Sequence, residues 1–330
     1  MTEDGLPLVL VTHTLPDGWL SPLEERCRLV VGPEDAAELA PDLIANLPKA
    51  EGLFSLLTIP VTRELLERAP RLRVVSNMAV GVDNIDLQAC TARGIPIGNT
   101  PGVLTEGTAD LTMALMLAIA RRLPQASQDA RLGSWTTWSP TGWLGMDLAG
   151  ATLGIIGFGK IGQAVTARAA GFGLQIVYND TQEHPELDRR LGASFLSLGE
   201  LLASSDIVSL HVPLTEQTRG LIDADALHAM KSSAILVNSS RGPVVETGAL
   251  LQGLQKGWIH AAALDVTDPE PLPPDHPLYA RPNCLITPHI GSATWRTRRR
   301  MAELAVENLI AGLEGRRLPH CANPEVYAES

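Results

Sequence analysis

The sequence predicts an α/β protein built from two doubly wound parallel-sheet domains. Three observations predict it. Short apolar runs alternate with helix-length segments along most of the 330 residues, the order that yields parallel strands with helices on both faces. The core material is aliphatic: 45% of residues are hydrophobic but only 4% aromatic, as strands buried on both faces require. One strand–turn–helix–strand unit, centred on residues 152–180, carries glycines at a spacing with a defined mechanical use. The length suits two domains better than one.

Composition narrows the classes of partner. The net charge is −11, which argues against nucleic acid or an anionic membrane as the main partner. Cys27, Cys90, Cys284 and Cys321 are scattered and show no C-x-x-C spacing, so they read as reduced thiols rather than a disulfide framework. The N-terminus is acidic and lacks the basic and apolar regions of a signal peptide. The longest apolar candidate, residues 111–120, is too short to cross a bilayer. The expectation is a soluble cytoplasmic protein.

The first half forms a βα series of its own. Strands are expected at 7–12, 27–31, 50–57, 72–77 and 95–99, and helices at 23–27, 62–69 and 86–93. Residues 105–122 are a long helical pattern with apolar residues on almost every face, which predicts burial on most sides, either between domains or in a subunit interface. Residues 133–147 place three of the six tryptophans in a loop broken by Gly and Pro. Such a loop exposes aromatics unless something covers them.

In the second half, strands are expected at 152–156, 175–178, 207–211, 234–238, 261–265 and 284–287. Six strands with right-handed crossovers make one doubly wound sheet. A last helix spans 293–313, and the tail is expected to return to the first domain.

The central unit reads apolar run, Gly157-x-Gly159-x-x-Gly162, helical pattern, apolar run, Asp180. A bare G-x-G-x-x-G is a weak signal, but here its full context is present. Gly157 permits a tight turn and Gly159 lets a pyrophosphate approach the backbone. Gly162 lets the helix pack on the strand, and the helix N-terminus faces the phosphates. Asp180 stands where a carboxylate takes the hydroxyls of an adenine ribose. The unit therefore predicts a dinucleotide site.

Ligands of open α/β sheets sit at the carboxyl ends of the strands. Those ends present Arg241, then Glu270, then His289. Arginine offers a planar fork for a carboxylate. Histidine exchanges a proton near neutral pH, and a neighbouring glutamate orients the ring and stabilises the imidazolium. With a nicotinamide above them, the three suit hydride transfer between a 2-oxo acid and a 2-hydroxy acid. His13, His184, His211, His228, His260, His276 and His320 show no metal-ligand spacing and read as structural or solvated; no metal is expected. Arg296, Arg298, Arg299 and Arg300 read as a solvated or salt-bridged helix face.

These residues together resemble the D-2-hydroxyacid dehydrogenase family over nearly the whole chain. The resemblance is carried by residues 80–86, 99–105, 154–162, 237–242, 264–266 with Glu270 and Pro271, and 287–292. It implies two Rossmann-like domains, the first flavodoxin-like and the second dinucleotide-binding. Residues 1–100 plus about 294–330 would form a discontinuous substrate-binding domain, and 101–293 the NAD-binding domain. It implies that Arg241 binds the substrate carboxylate, with the backbone of Val80 and Gly81, and that Glu270 and His289 form the acid/base dyad. Thr108, Gly157, Gly159, Lys160, Ile161, Gly162, Pro213, Thr218, Ser239, Asp265, His289 and Gly291 would line the cofactor.

Within the family the chain looks most like the glyoxylate/hydroxypyruvate reductases, on residues 52–57, 151–157, 265–273 with 276–278, and 289–294. Many members of this branch place Ser, Asn or Arg after the second nucleotide strand and accept NADPH. Asp180, followed by Thr181 and Gln182, departs from that pattern and implies NAD over NADP. The partner expected is a small 2-oxo or 2-hydroxy acid. Another 2-oxo acid, phosphite, or a role as dinucleotide-sensing corepressor are the competing readings. The resemblance also implies a homodimer in which a tryptophan of the 133–147 loop approaches the neighbour's site; Trp138 matches best, with Trp143 the alternative.

Overall fold

The computed structural model describes residues 5–328; the acidic start, residues 1–4, lies outside them. The chain divides into two compact units, one of Met1–Leu104 with Thr294–Ser330 and one of Thr105–Ala293.

The first unit opens β1 (Leu8–Val11), α1 (Ser21–Glu24), β2 (Arg28–Val31), α2 (Pro41–Asn46), β3 (Gly52–Ser55), α3 (Arg63–Arg68), β4 (Val74–Asn77), α4 (Leu87–Ala92) and β5 (Ile97–Gly98). The strands form one parallel sheet in the order β2-β1-β3-β4-β5. Leu10 pairs with Leu53, and Leu53 with Val75. Helix starts follow local chemistry: Thr62 Oγ1 accepts the Leu65 N–H at 3.3 Å, and Asp86 Oδ1 accepts the Ala89 N–H at 2.8 Å. Two expectations shift. The first helix begins at Ser21, where Pro22 suits a first turn, and ends before Cys27, which turns into β2. The short helix α2 leaves too few turns for a periodic signal.

The second unit contains α5 (Thr105–Ala120), α6 (Leu123–Arg131), β6 (Thr152–Ile156), α7 (Lys160–Ala169), β7 (Gln175–Asn179), α8 (Pro185–Leu191), β8 (Ala193–Phe195), α9 (Leu198–Ser204), β9 (Ile207–Leu210), α10 (Ala224–Ala229), β10 (Ile235–Asn238), α11 (Thr247–Lys256), β11 (Ala261–Leu264) and β12 (Cys284–Ile286). Its seven parallel strands run β12-β11-β10-β9-β6-β7-β8. The seventh, β8, is a three-residue edge strand that the six-strand expectation lacked. Strand order reverses at β6, so the crevice between β6 and β9 is the place for a ligand.

α5 ends where Arg122 takes a left-handed conformation (φ 51°) and α6 begins. Its buried side, including Thr108, Thr112, Met113 and Met116, packs on α7, β10 and β11 of its own unit. The expected cover from a second domain or subunit is therefore not needed for this face. Arg168 of α7 clamps the exposed side through Glu106 and Asp110, both at 2.6 Å.

The chain then returns to the first unit. α12 (Trp295–Leu313) lies against β3 and β4. Ser76 Oγ donates to Ala305 O at 2.7 Å, and Asn308 Oδ1 accepts the His320 N–H at 2.9 Å. Among the described residues, no helix is long and apolar enough to cross a membrane.

Candidate active site

The glycine turn follows β6 directly. Gly157 has φ +93°, and a Cβ there would lie 2.7 Å from the His211 carbonyl. At Gly162 a Cβ would sit 2.3 Å from Gly157 O, so turn and helix could not close together. At Gly159 a Cβ would meet nothing within 4 Å: that glycine borders open space. It is the N-cap of α7 and supplies no side-chain cap, which leaves the first N–H groups of the helix for an anion. Lys160 and Ile161 are the first two residues of that helix. Across the crevice, His211 Nε2 bonds Ser209 Oγ at 2.9 Å, while its Nδ1 is sealed from solvent without a hydrogen-bond partner. Burial pushes this imidazole down to about 3. Tight turn, open middle glycine and uncapped helix fit a dinucleotide pyrophosphate.

Asp180 follows the last residue of β7. Its Oδ2 accepts the Phe158 N–H at 2.9 Å and its Oδ1 accepts the Thr181 N–H at 2.7 Å. Burial opposes the charge, but the N–H groups of Thr181 and Phe158 and the His184 ring outweigh it and hold the carboxyl below its ordinary range. The acid is thus ionised and tied to the glycine turn.

The remaining cofactor candidates fall into two groups. Pro213 and Thr218 lie in the turn after β9, where Thr218 Oγ1 donates to Pro213 O at 2.6 Å. Thr108, Ser239 and Gly291 are joined through α5: Thr108 Oγ1 donates to Gly291 O at 3.3 Å, and Thr112 Oγ1 bonds Ser239 Oγ at 2.8 Å.

Arg241, Glu270 and His289 follow β10, β11 and β12, three adjacent strands. Asn238 Nδ2 donates to Arg241 O at 2.9 Å and Arg241 Nη1 donates to Ser240 O at 2.8 Å, which set the arginine turn on the end of β10. The next residue, Gly242, presses on the loop after β11: a Cβ there would lie 1.8 Å from Thr267 O. This close approach ties the arginine turn to the glutamate loop. Glu270 Oε2 accepts the Thr267 N–H at 3.2 Å, and Oε1 accepts His289 Nδ1–H at 2.5 Å. That bond leaves Nε2 as the ring nitrogen able to meet a substrate oxygen.

His289 itself has φ 52°, a conformation that a side chain other than glycine adopts only when its surroundings enforce it. Asp265 enforces it. The Asp265 carbonyl accepts the His289 N–H at 2.9 Å. Its buried carboxylate accepts Thr287 Oγ1–H at 2.6 Å and the N–H groups of Ile290 and Gly291, each at 2.8 Å. The resemblance set Asp265 against the cofactor; the structure also makes it the anchor of the histidine loop.

Val80 and Gly81 belong to the first unit, in the turn after β4. Their carbonyls accept the side-chain amides of Asn99 at 2.9 Å and Asn77 at 3.0 Å. Trp138 is 80% exposed. Trp143 is held within its own chain, its Nε1–H donating to Asp129 Oδ2 of α6 at 2.7 Å. Sequence reasoning missed His184, His211 and Thr287. For His184 the available signal was its position four residues after Asp180; for Thr287, its place at the end of β12. A half-buried histidine such as His211 leaves no signal in one sequence. Among the described residues, no group of three or more His, Cys, Asp or Glu could hold a metal ion.

Residues 113–291 match the D-isomer specific 2-hydroxyacid dehydrogenase, NAD binding domain. A glyoxylate reductase of Korarchaeum cryptofilum is 47% identical over 97% of both chains. A glyoxylate reductase of Aeropyrum pernix is 49% identical over 86% of each. A crystal structure of the TT0316 protein from Thermus thermophilus superposes with a TM-score of 0.89 at 49% identity, covering 96% of this chain and 99% of that one. The chain belongs to the D-isomer specific 2-hydroxyacid dehydrogenase family, as an NAD(P)-dependent oxidoreductase of its glyoxylate reductase branch.

Proposed function

We propose that the chain reduces glyoxylate, hydroxypyruvate or both to the 2-hydroxy acid, with NADH preferred over NADPH. The observation that carries the reading is the Glu270–His289 bond of 2.5 Å on the strand end beside that of Arg241. Arg241 grips the substrate carboxylate through its planar fork. The backbone of Val80 and Gly81 gives the first unit its substrate-binding role, and the second unit serves the cofactor. His289 donates the proton on Nε2 to the oxygen at C2, and Glu270 stabilises the imidazolium before that transfer. In the oxidising direction the neutral ring takes the proton back.

When bound, the dihydronicotinamide supplies the hydride to C2. The first N–H groups of α7 and the glycine turn hold its pyrophosphate, with Lys160 and Ile161 beside them. Asp180 takes the adenine ribose hydroxyls and repels a 2′-phosphate. Pro213, Thr218, Thr108, Ser239 and Gly291 line the rest.

The protein acts in the cytoplasm as a homodimer. Supporting the homodimer are exposed apolar side chains on α6 and in the loop after it: Leu123 is 54% exposed, Leu132 71%, Trp135 63% and Leu144 64%. A patch this apolar suits a partner of the same kind.

Purified protein assayed with NADH against a panel of 2-oxo acids tests the reading. Glyoxylate or hydroxypyruvate should give the highest kcat/KM. A different preferred 2-oxo acid would move the chain to another branch. Nucleotide binding without turnover on any acid would favour a sensing role instead.

A further inference from the structure

We propose that His184 makes the choice between NAD and NADP depend on pH, by neutralising Asp180 when the imidazole is protonated. This rests on the reading of Asp180 as the ribose-binding acid.

The geometry is specific. His184 precedes α8, and its Nε2 lies 3.4 Å from Asp180 Oδ2, the same oxygen that accepts the Phe158 N–H. The ring is not a free surface group. Its backbone N–H donates to Tyr178 Oη at 2.8 Å. Its centroid lies 6.1 Å from both the Phe158 and the Tyr178 rings, which stack on each other at 4.0 Å. The side chains of His184 and Asp180 are 23% and 22% exposed, so the pair borders solvent where a ribose would arrive.

The consequence follows from charge. With a neutral imidazole, Asp180 presents a full negative charge to any 2′-phosphate. With an imidazolium at 3.4 Å, the pair is neutral and the ring is a donor beside a phosphate. Imidazole is the side chain whose charge responds most readily to mild changes of pH. On its own segment the ring faces Asp180 and the Tyr178 ring, and Glu183 and Asp188 act on the Tyr178 phenol. The glycine turn presents Phe158, whose carbonyl accepts Gln163 Nε2–H, and Lys160, a fixed cation, starts α7. β8 contributes Phe195, edge-on to Tyr178. Within this set His184 is the only histidine.

The test is binding calorimetry of NAD⁺ and NADP⁺ on the whole protein from pH 5.5 to 8.5. For the wild type, the ratio of the NADP⁺ Kd to the NAD⁺ Kd should fall about tenfold on acidification across this range. His184→Gln should lose that slope, apart from the part due to the 2′-phosphate's own titration near pH 6. His184→Lys should lower the ratio at every pH, with the same flat profile. Circular dichroism confirms that each variant is folded, and the difference in slope between the wild type and His184→Gln isolates the imidazole's share from that of the 2′-phosphate. A wild-type ratio favouring NAD⁺ but flat with pH would overturn the role of His184 alone. An unchanged slope in His184→Gln would overturn it too. A ratio favouring NADP⁺ at pH 8.5 would overturn the reading of Asp180 and, with it, this proposal.

Discussion

Asp265 accepts the backbone N–H of Gly291 at 2.8 Å, and through this bond a buried acid just past one strand positions a histidine in the loop after the next. Its other oxygen holds Thr287 and Ile290, so His289 is bracketed on both sides. Asp265→Asn keeps the shape but replaces one acceptor with an N–H₂ group. That group meets a backbone N–H donor, and an unsatisfied buried donor costs about 1–3 kcal/mol. The expected result is a lower melting temperature together with a fall in kcat of roughly 10- to 100-fold, since about 1.4 kcal/mol is tenfold. NAD⁺ affinity separates the two roles of Asp265: a change confined to kcat identifies positioning, and a matching loss of NAD⁺ affinity identifies a direct cofactor contact. Wild-type kcat and melting temperature would remove Asp265 from the positioning of His289.

His289→Ala should lower kcat by about 10²- to 10⁴-fold while NAD⁺ binding persists. Glu270→Gln should fall by less, because an amide can still accept the Nδ1–H but does not stabilise the imidazolium. Arg241→Ala should raise KM for the acid more than it lowers kcat. Steady-state kinetics on the three variants checks the division of labour; turnover near wild type in His289→Ala would reject the dyad.

His211 predicts an acid limit to stability. Its folded pKa is pushed down to about 3 from an ordinary 6.5, so between those values the unfolded chain binds a proton that the folded chain refuses. Stability should therefore fall as pH drops below about 6.5, by up to about 1.4 kcal/mol per unit, and be indifferent to this group above it. His211→Asn should flatten the decline between about pH 7 and 5. Melting temperatures of both proteins across that window check it, and parallel slopes would show that the ring does not contribute.

Much of this was legible in the sequence because the signals are mechanical. Gly157, Gly159 and Gly162 mark a turn that admits no Cβ at two of the three positions. Arg241, Glu270 and His289 could be grouped because a parallel sheet brings successive strand ends to one edge. What stayed hidden depends on tertiary neighbours. The edge strand β8 has three residues and no pattern of its own. α6 has no buried residue, so no apolar stripe announced it. The anchoring of His289 joins Asp265 to residues 22 to 26 positions later, and the pairing of Asp180 with His184 depends on a ring held by Tyr178 and Phe158.

The homodimer proposed above has its face on α6 and the tryptophan loop. The apolar helix α5, expected to need a partner, is covered by its own unit, while α6 and the tryptophan loop are not. Trp135 and Trp138 line a cavity of about 280 Å³ with Ala126 and Ala130 of α6. Trp143 is fixed by Asp129, whereas Trp138, at 80% exposure, is the most exposed tryptophan of the loop. Large aromatics at the centre of an interface commonly lose about 2 kcal/mol or more, roughly 30-fold in affinity, on truncation. Light scattering at micromolar concentration should give twice the chain mass. Trp138→Ala should weaken the dimer or shift KM and substrate preference, because this residue would then lie against the neighbour's site. Trp143→Ala should instead lower stability through loss of the Asp129 bond and leave substrate preference alone. A monomeric mass would reject the dimer, and unchanged association and kinetics in Trp138→Ala would reject the shared site.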